Sequence, residues 1–169
     1  MLGHFTATED IDADTVLAEA AEALTDSGLR VAGAVQVAQT EAGRPRMTLR
    51  LLGGGPSITI SQDLGPEATG CRLDPDGLER AVALVDRALD ARPDLLVINR
   101  FGKQEAAGRG FRPLIGRALS DGIPVLLVVS HRHGAAFDAF ADGLGEALPP
   151  RMDALVDWAR RNALREPAA

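Results

Sequence analysis

Hydrophobic residues follow two alternating patterns along this chain. Short, largely apolar runs occupy residues 2–5, 30–37, 94–98 and 124–129. Such runs are typical of strands that are buried on both faces of a sheet. The segments between them carry apolar residues at helical spacing, as in Val16, Leu17, Ala20, Ala21 and Leu24. The alternation predicts an α/β fold, with a mainly parallel sheet covered by helices on both faces.

Turn and cap residues mark where these elements begin and end. Asp74-Pro75-Asp76 is a strong helix start, with a carboxylate cap, a proline and an acid in the first turn. Two short strand patterns, at 47–52 and 57–61, flank Gly53-Gly54-Gly55-Pro56 and predict a hairpin. We expect this hairpin insertion, at about residues 38–62, to lie at one edge of the sheet. A length of 169 residues is typical of one domain, here residues 1–169.

The composition of the chain argues against some classes of function and indicates the cellular compartment. The formal net charge of −6 argues against a general nucleic-acid surface. No apolar run approaches the roughly 20 residues needed to span a bilayer, so membrane insertion is not expected. The single cysteine, Cys71, cannot form an internal disulfide and fits a reducing compartment. We therefore expect a cytoplasmic protein.

One feature of the charge pattern suggests an anion site. Lys103 is the only lysine, and the other 17 basic residues are arginine. It follows a predicted core strand and opens a glycine-containing loop, where open α/β sheets bind anions. Between residues 100 and 117 there are five cations and one carboxylate. The simpler alternative is a solvated loop whose arginines pair with acidic neighbours.

A second cationic candidate precedes the helix that begins near Pro75. Arg72 lies two residues before Asp74, where free backbone N–H groups and the helix dipole favour anions. We expect its side chain to converge on the Lys103 site. The thiol of Cys71 could have a lowered pKa there, although a buried, inert cysteine is the simpler interpretation.

Two further segments give weaker indications of a binding site. The first strand-to-helix turn, residues 6–15, is acidic and lacks the glycines and Lys-Ser/Thr pair of a phosphate-binding P-loop. It is interpreted as a capped helix start, with a Mg²⁺-assisted role as the alternative. Ser130-His131-Arg132-His133 carries two imidazoles, but too few other ligands exist to complete a metal site. We therefore predict no metal site. Residues 130–133 either contact an anion or have no role in binding.

Several strings together resemble a known bacterial family. They are Ser61-Gln62-Asp63-Leu64-Gly65, Gly70-Cys71-Arg72-Leu73-Asp74, the run DLLVINRFGKQE at 94–105 and the run GRGFRPLI at 108–115. The chain is similar over nearly its whole length to the domain of unknown function 2478. That resemblance implies a degenerate P-loop NTPase-like core and an association with molybdate transport. Segment 94–105 also resembles a Walker B region, with Asn99-Arg100 in place of its acidic pair.

These observations lead to one main hypothesis and two alternatives. The first is a non-catalytic accessory protein that binds an oxyanion or a nucleotide, linked to molybdate or molybdenum-cofactor metabolism. The second is an NTPase or phosphoryl-transfer enzyme using Lys103. The third is an interaction module that docks an acidic partner through the basic loop 100–112.

The candidate residues and ligands follow from the same pattern. The candidate ligands are phosphate, molybdate or a nucleotide, and Mg²⁺ could accompany any of them. The sequence does not decide between a monomer and a homo-oligomer. The candidate anion-binding residues are Arg72, Asn99, Arg100, Lys103, Arg109 and Arg112, with Cys71, Gln62 and Glu105 as accessory candidates.

Overall fold

The computed structural model describes residues 1–62, 64–65 and 72–163. Strands and helices alternate along this part of the chain. The strands are β1 (Leu2–Thr6), β2 (Val31–Glu41), β3 (Arg44–Leu51), β4 (Ser57–Thr59), β5 (Leu95–Phe101), β6 (Val125–Val129) and β7 (Gly145–Ala147). The helices are α1 (Ala13–Asp26), α2 (Pro75–Leu89), α3 (Lys103–Ala106), α4 (Arg112–Ser120), α5 (Gly134–Ala141) and α6 (Met152–Ala163).

All seven strands form one sheet in the order β4-β3-β2-β5-β6-β1-β7. The pairs β2–β5, β5–β6, β6–β1 and β1–β7 are parallel, whereas β3 and β4 are antiparallel additions at one edge. The predicted mainly parallel α/β sheet with a hairpin at its edge is therefore confirmed. Strand β2 is longer than predicted and pairs with β3 as far as Glu41, because the chain reverses at Ala42-Gly43, both with positive φ.

Helices cover both faces of the sheet, as predicted. On one face, Leu96 and Ile98 of β5 pack in a cluster that includes side chains of α2 and α4. On the other, Leu95 and Val97 pack with α1 and with Trp158 of α6. Successive β5 side chains point to opposite faces, which is why this strand is apolar at every core position. None of the described helices is long and apolar enough to cross a membrane.

Capping residues determine how two helices leave the sheet. Asp12 accepts hydrogen bonds from the backbone N–H and the hydroxyl of Thr15, at 3.1 and 2.7 Å. Asp74 accepts one from the backbone N–H of Asp76, at 3.0 Å, with Pro75 as the first residue of α2. Each carboxylate satisfies N–H groups that the helix itself cannot pair. The β1–α1 turn and the start of α2 are thereby held in place.

We expect Gly33→Ala to destabilise the protein by about 3 kcal/mol or more, because it adds backbone strain and a steric clash. Gly33 has φ +125°, and a Cβ there would lie 1.8 Å from the carbonyl oxygen of Val97 on the paired strand. Gly116→Ala in α4 is the matched control, since a Cβ there meets nothing within 4 Å. Removing this helical glycine should leave stability unchanged or raise it by about 0.5–1 kcal/mol. Urea unfolding of both variants measures the difference, and equal midpoints would contradict the close β2–β5 approach.

Candidate functional site

A cleft of about 370 Å³ opens where β5 and β6 end, and we call it the β5 cleft. Its polar side is formed largely by residues at the end of β5 or just after β5 and β6. They are Asn99 and Arg100 within β5, and Lys103, Gln104, Ser130 and His133 after the strands. Its apolar wall comes from β3, from the chain after β4 and from the starts of α2 and α4. It consists of Met47, Ile60, Leu73, Leu78 and Phe111.

Arg100 is held by the first turn of α1. Its Nη2 lies 2.7 Å from Oδ1 of Asp14, and Nδ2 of Asn99 donates to the same oxygen at 3.0 Å. The side chains of Arg100 and Asp14 are 35% and 28% exposed, so the ion pair is only partly shielded from water. A charge-assisted hydrogen bond of this kind neutralises much of the arginine's charge. Arg100 therefore contributes less positive potential to the cleft than its sequence position suggests.

The turn that contains Asp14 can be aligned with the phosphate-binding motif of nucleotide-binding loops. The phosphate-binding motif G-x-x-x-x-G-K-[ST] ends within the first turn of its helix. When the motif is laid on residues 8–15 so that its final hydroxyl residue meets Thr15, its lysine falls on Asp14. Its two glycines fall on Thr8 and Ala13. In this alignment the chain has a carboxylate, Asp14, at the position of the motif's lysine. At the end of β5 it has a cation, Arg100, where the acidic pair of a Walker B region would fall.

A second cleft, of about 510 Å³, lies beside the β1–α1 turn. Glu9 and Asp10 contribute two acids to its lining, Arg100 and Arg132 contribute two cations, and Arg100 and Ser130 line both clefts. Arg100, which is paired with Asp14, therefore lies between the two clefts. The acids and arginines of the second cleft are equal in number, whereas the β5 cleft also has Lys103.

Lys103 places an exposed ammonium at the β5 cleft. It is the first residue of α3, two residues after β5 ends. Within residues 1–62, 64–65 and 72–163 its ammonium forms no ion pair. A lysine that is hydrated and not neutralised in this way can accept an incoming anion as a partner.

Glu105 holds α3, the short helix that carries Lys103 where the sequence predicted a loop. It is 4% exposed, and its two oxygens accept hydrogen bonds from the backbone N–H groups of Gly102 and Phe111, each at 3.0 Å. Burial raises the pKa of Glu105, and these hydrogen bonds oppose that shift. Gly110 fits against this carboxylate, since a Cβ there would lie 2.2 Å from its Oε1. Glu105 therefore has a structural role in the site.

Two predicted arginines of the same loop point elsewhere. Arg109 donates to the side-chain oxygen of Gln104 at 3.1 Å and is exposed. Arg112 donates to the carbonyl of Glu105 at 3.3 Å, and its guanidinium stacks 5.1 Å from the ring centre of Phe140. Neither residue lines the β5 cleft.

Arg72 does not reach the β5 cleft, contrary to our expectation. The short antiparallel bridge between Ser61 and Leu73 makes this segment extended, and successive side chains of an extended chain point to opposite sides. Leu73 lines the β5 cleft, whereas Arg72 lines a separate pocket of about 210 Å³ with Gln62. Cys71 lies outside the described residues.

Two parts of the site were missing from the sequence analysis. Asp14 was grouped with the other acids of its turn, although the spacing of the P-loop motif could have singled it out. The apolar wall gave no signal, because its five residues come from four segments that are far apart in sequence. Over the described ranges, no three histidine, cysteine or acidic side chains lie together as a metal site would need.

Comparison with known proteins places these features in a family and a fold. The model of the family described as "Protein of unknown function (DUF2478)" matches residues 4–158. The chain is 36% identical over 156 residues to a molybdenum import ATP-binding protein, ModC 2, of Bradyrhizobium diazoefficiens. The match covers 91% of this chain but only 17% of that relative's length.

A solved structure shares the fold. It is the solution structure of a human cancer-related nucleoside triphosphatase, with a TM-score of 0.69 and 19% sequence identity. The alignment covers 96% of this chain and 98% of the other. The likeness confirms the predicted P-loop NTPase-like core, and at this identity it concerns the fold alone.

We expect Glu105→Gln to change how stability depends on pH. The folded-state pKa of Glu105 is raised, so the folded protein binds this proton more tightly than the unfolded chain does. Its contribution is fully present below the ordinary value of 4.5 and is lost as pH rises through the folded-state pKa. The free energy of unfolding of the wild type, minus that of the variant, should therefore grow as pH falls from neutrality towards that ordinary value.

Chemical denaturation at several pH values measures this difference. Glu22→Gln, which removes an exposed carboxylate from α1, is the matched control. A difference for Glu105→Gln that shrinks on acidification would show that the buried carboxylate is not as described.

Proposed function

We propose that this chain, which belongs to the DUF2478 family, is a non-catalytic accessory protein that binds an oxyanion or a nucleotide in the β5 cleft. Lys103 is the main cation of the proposed site. Arg100 adds a guanidinium whose charge Asp14 partly neutralises, and Asn99 and Ser130 supply polar contacts. Arg109, Arg112 and Arg72 are left out of the direct contacts, because none of them lines this cleft.

The single observation that carries the proposal is the contact of Asp14 with Arg100 and Asn99. Phosphoryl transfer depends on cations that neutralise the charge developing on the transferred group. When the P-loop motif is laid on residues 8–15, a carboxylate falls at the position of its lysine, and this carboxylate is paired with Arg100 at the end of β5. An anion bound at Lys103 would be held in its ground state, and such binding does not accelerate a reaction.

A link to molybdenum import is the finer part of the proposal. The relative named as a molybdenum import ATP-binding protein contains the matched segment within a much longer chain. Joining two units in one chain raises the effective concentration of each beside the other. We infer that a DUF2478 unit acts close to such an import protein in the cytoplasm, with molybdate as one candidate anion.

Binding should respond in opposite directions to two substitutions. Lys103→Ala should weaken binding of phosphate or molybdate by about 10-fold or more, the effect of losing one charged hydrogen bond. Asp14→Asn should strengthen it about 3- to 10-fold, because Arg100 then keeps more of its charge. Isothermal titration calorimetry with both anions measures these changes.

The control for loss of one positive charge is Arg160→Ala. Arg160 is exposed on α6, which covers the opposite face of the sheet, so this variant should bind like the wild type. Equal weakening by Lys103→Ala and Arg160→Ala would mean that only net charge matters and would remove the proposed site.

Turnover tests the non-catalytic part. We expect no Mg²⁺-dependent hydrolysis of ATP or GTP above the blank. A rate near 1 s⁻¹, at the low end of ordinary enzymes, that Lys103→Ala abolished would favour the enzyme alternative instead. Co-purification of an acidic protein without anion binding or turnover would favour the interaction module.

A further inference from the structure

We infer that the β5 cleft takes an organic anion, with a flat or apolar body joined to one anionic group, in preference to a bare inorganic oxyanion. The inference rests on the proposed function, because it assigns the anionic group to Lys103. It adds a ligand class, and it is carried by contacts that the anion site does not use.

The first such contact surface is the apolar wall. Ile60, Leu78 and Phe111 are buried, and Met47 and Leu73 are half-buried beside them. An inorganic oxyanion gains nothing from these side chains and loses hydration when it lies against them. A ring or a similar apolar body would instead remove both surfaces from water. The wall therefore fits a ligand with an organic part.

The second contact that the anion site does not use is an unpaired acceptor on Asn99. This residue is 4% exposed and lines the cleft. Its amide nitrogen donates to Asp14, which can only accept, and this contact determines which end of the amide is the oxygen. That oxygen, Oδ1, is buried and has no hydrogen-bond partner within the described residues. Leaving such an acceptor unsatisfied costs about 1–3 kcal/mol. A donor group of a ligand would satisfy this oxygen, whereas molybdate has only acceptor oxygens and hydrogen phosphate has a single O–H.

The third is His133, which follows β6 and lines the same cleft. Its ring nitrogen Nδ1 is also buried and has no partner in the part of the chain that the structure describes. A neutral imidazole nitrogen can donate or accept according to its tautomer. Asn99 and His133 together provide two polar contacts, apart from the exposed Lys103, for the body of a ligand.

The size of the cleft agrees with a ligand that has an organic part as well as an anionic group. At about 370 Å³ it falls within the range of about 300–1,000 Å³ that is typical of small-molecule sites. The exposed ammonium of Lys103 is the hydrated end, and the apolar wall is the buried end. A ligand with an anionic group at the first and a donor-bearing ring at the second would lie against the apolar wall and beside Asn99 and His133.

Calorimetric titration with two sets of probes tests the inference. The organic probes are AMP, GMP and 8-anilinonaphthalene-1-sulfonate, and the inorganic ones are phosphate and molybdate. We expect at least one organic probe to bind about 10-fold or more tightly than either inorganic anion. Met47→Trp, which should fill the cleft from the half-buried position on β3, is expected to remove that advantage and to leave inorganic binding within about 2-fold.

A measurement on the unaltered protein guards against a misfolded variant. The methyl resonances of Met47, Ile60 and Leu73 should shift on addition of the tightest organic probe and should not shift with inorganic phosphate. Lys103→Ala should weaken both sets of probes.

The outcomes separate the two proposals. Inorganic anions that bind as tightly as every organic probe, with unchanged methyl resonances, would overturn the inference and leave the anion site in place. Absence of binding by all five probes would overturn both. Organic binding that survives Lys103→Ala would support the wall but not the anion site.

Discussion

The contact of Asp14 with Arg100 and Asn99 is the constraint on which the site depends. It joins the first turn of α1 to the end of β5. Charge-assisted hydrogen bonds contribute about 1.5–3 kcal/mol when shielded, and partial exposure reduces that amount. Its larger consequence is electrostatic, because one carboxylate partly neutralises Arg100, which lines both clefts.

Because Arg100 is partly neutralised, the position of Lys103 becomes decisive. The short helix α3, which carries Lys103, is held from inside by Glu105, whose two oxygens accept hydrogen bonds from the N–H groups of Gly102 and Phe111. Burying a carboxylate raises its pKa and opposes folding at neutral pH, so this arrangement is retained at a cost in stability. The same contacts place Phe111 on the apolar wall and Lys103 at the hydrated end of one cleft. A single buried acid thus determines how the two ends of the site are spaced.

The fold was more predictable from sequence than the site. Strand β6, and β5 as far as Ile98, are apolar at every position because helices cover both of their faces, and that pattern is local. Strand β7 has three residues and little apolar content, so it gave no signal. The contact between Asp14 and Arg100 joins residues 86 positions apart. The placement of Arg72 depends on a one-residue register at the Ser61–Leu73 bridge, which no local pattern determines. The anion-binding roles stay predictions.

The human nucleoside triphosphatase has the same fold although only 19% of the aligned residues are identical. In this chain the two hydrophobic clusters lie on the two faces of the sheet, and neither includes the side chains of Asp14, Arg100 or Lys103. Those three side chains are partly or fully exposed, so substituting them can change the charge of the β5 cleft without removing a contact of the core. The strand-end residues Phe101 and Val129, in contrast, belong to one of the clusters. The fold is therefore argued from packing, whereas the function has to be argued from the polar residues of the cleft.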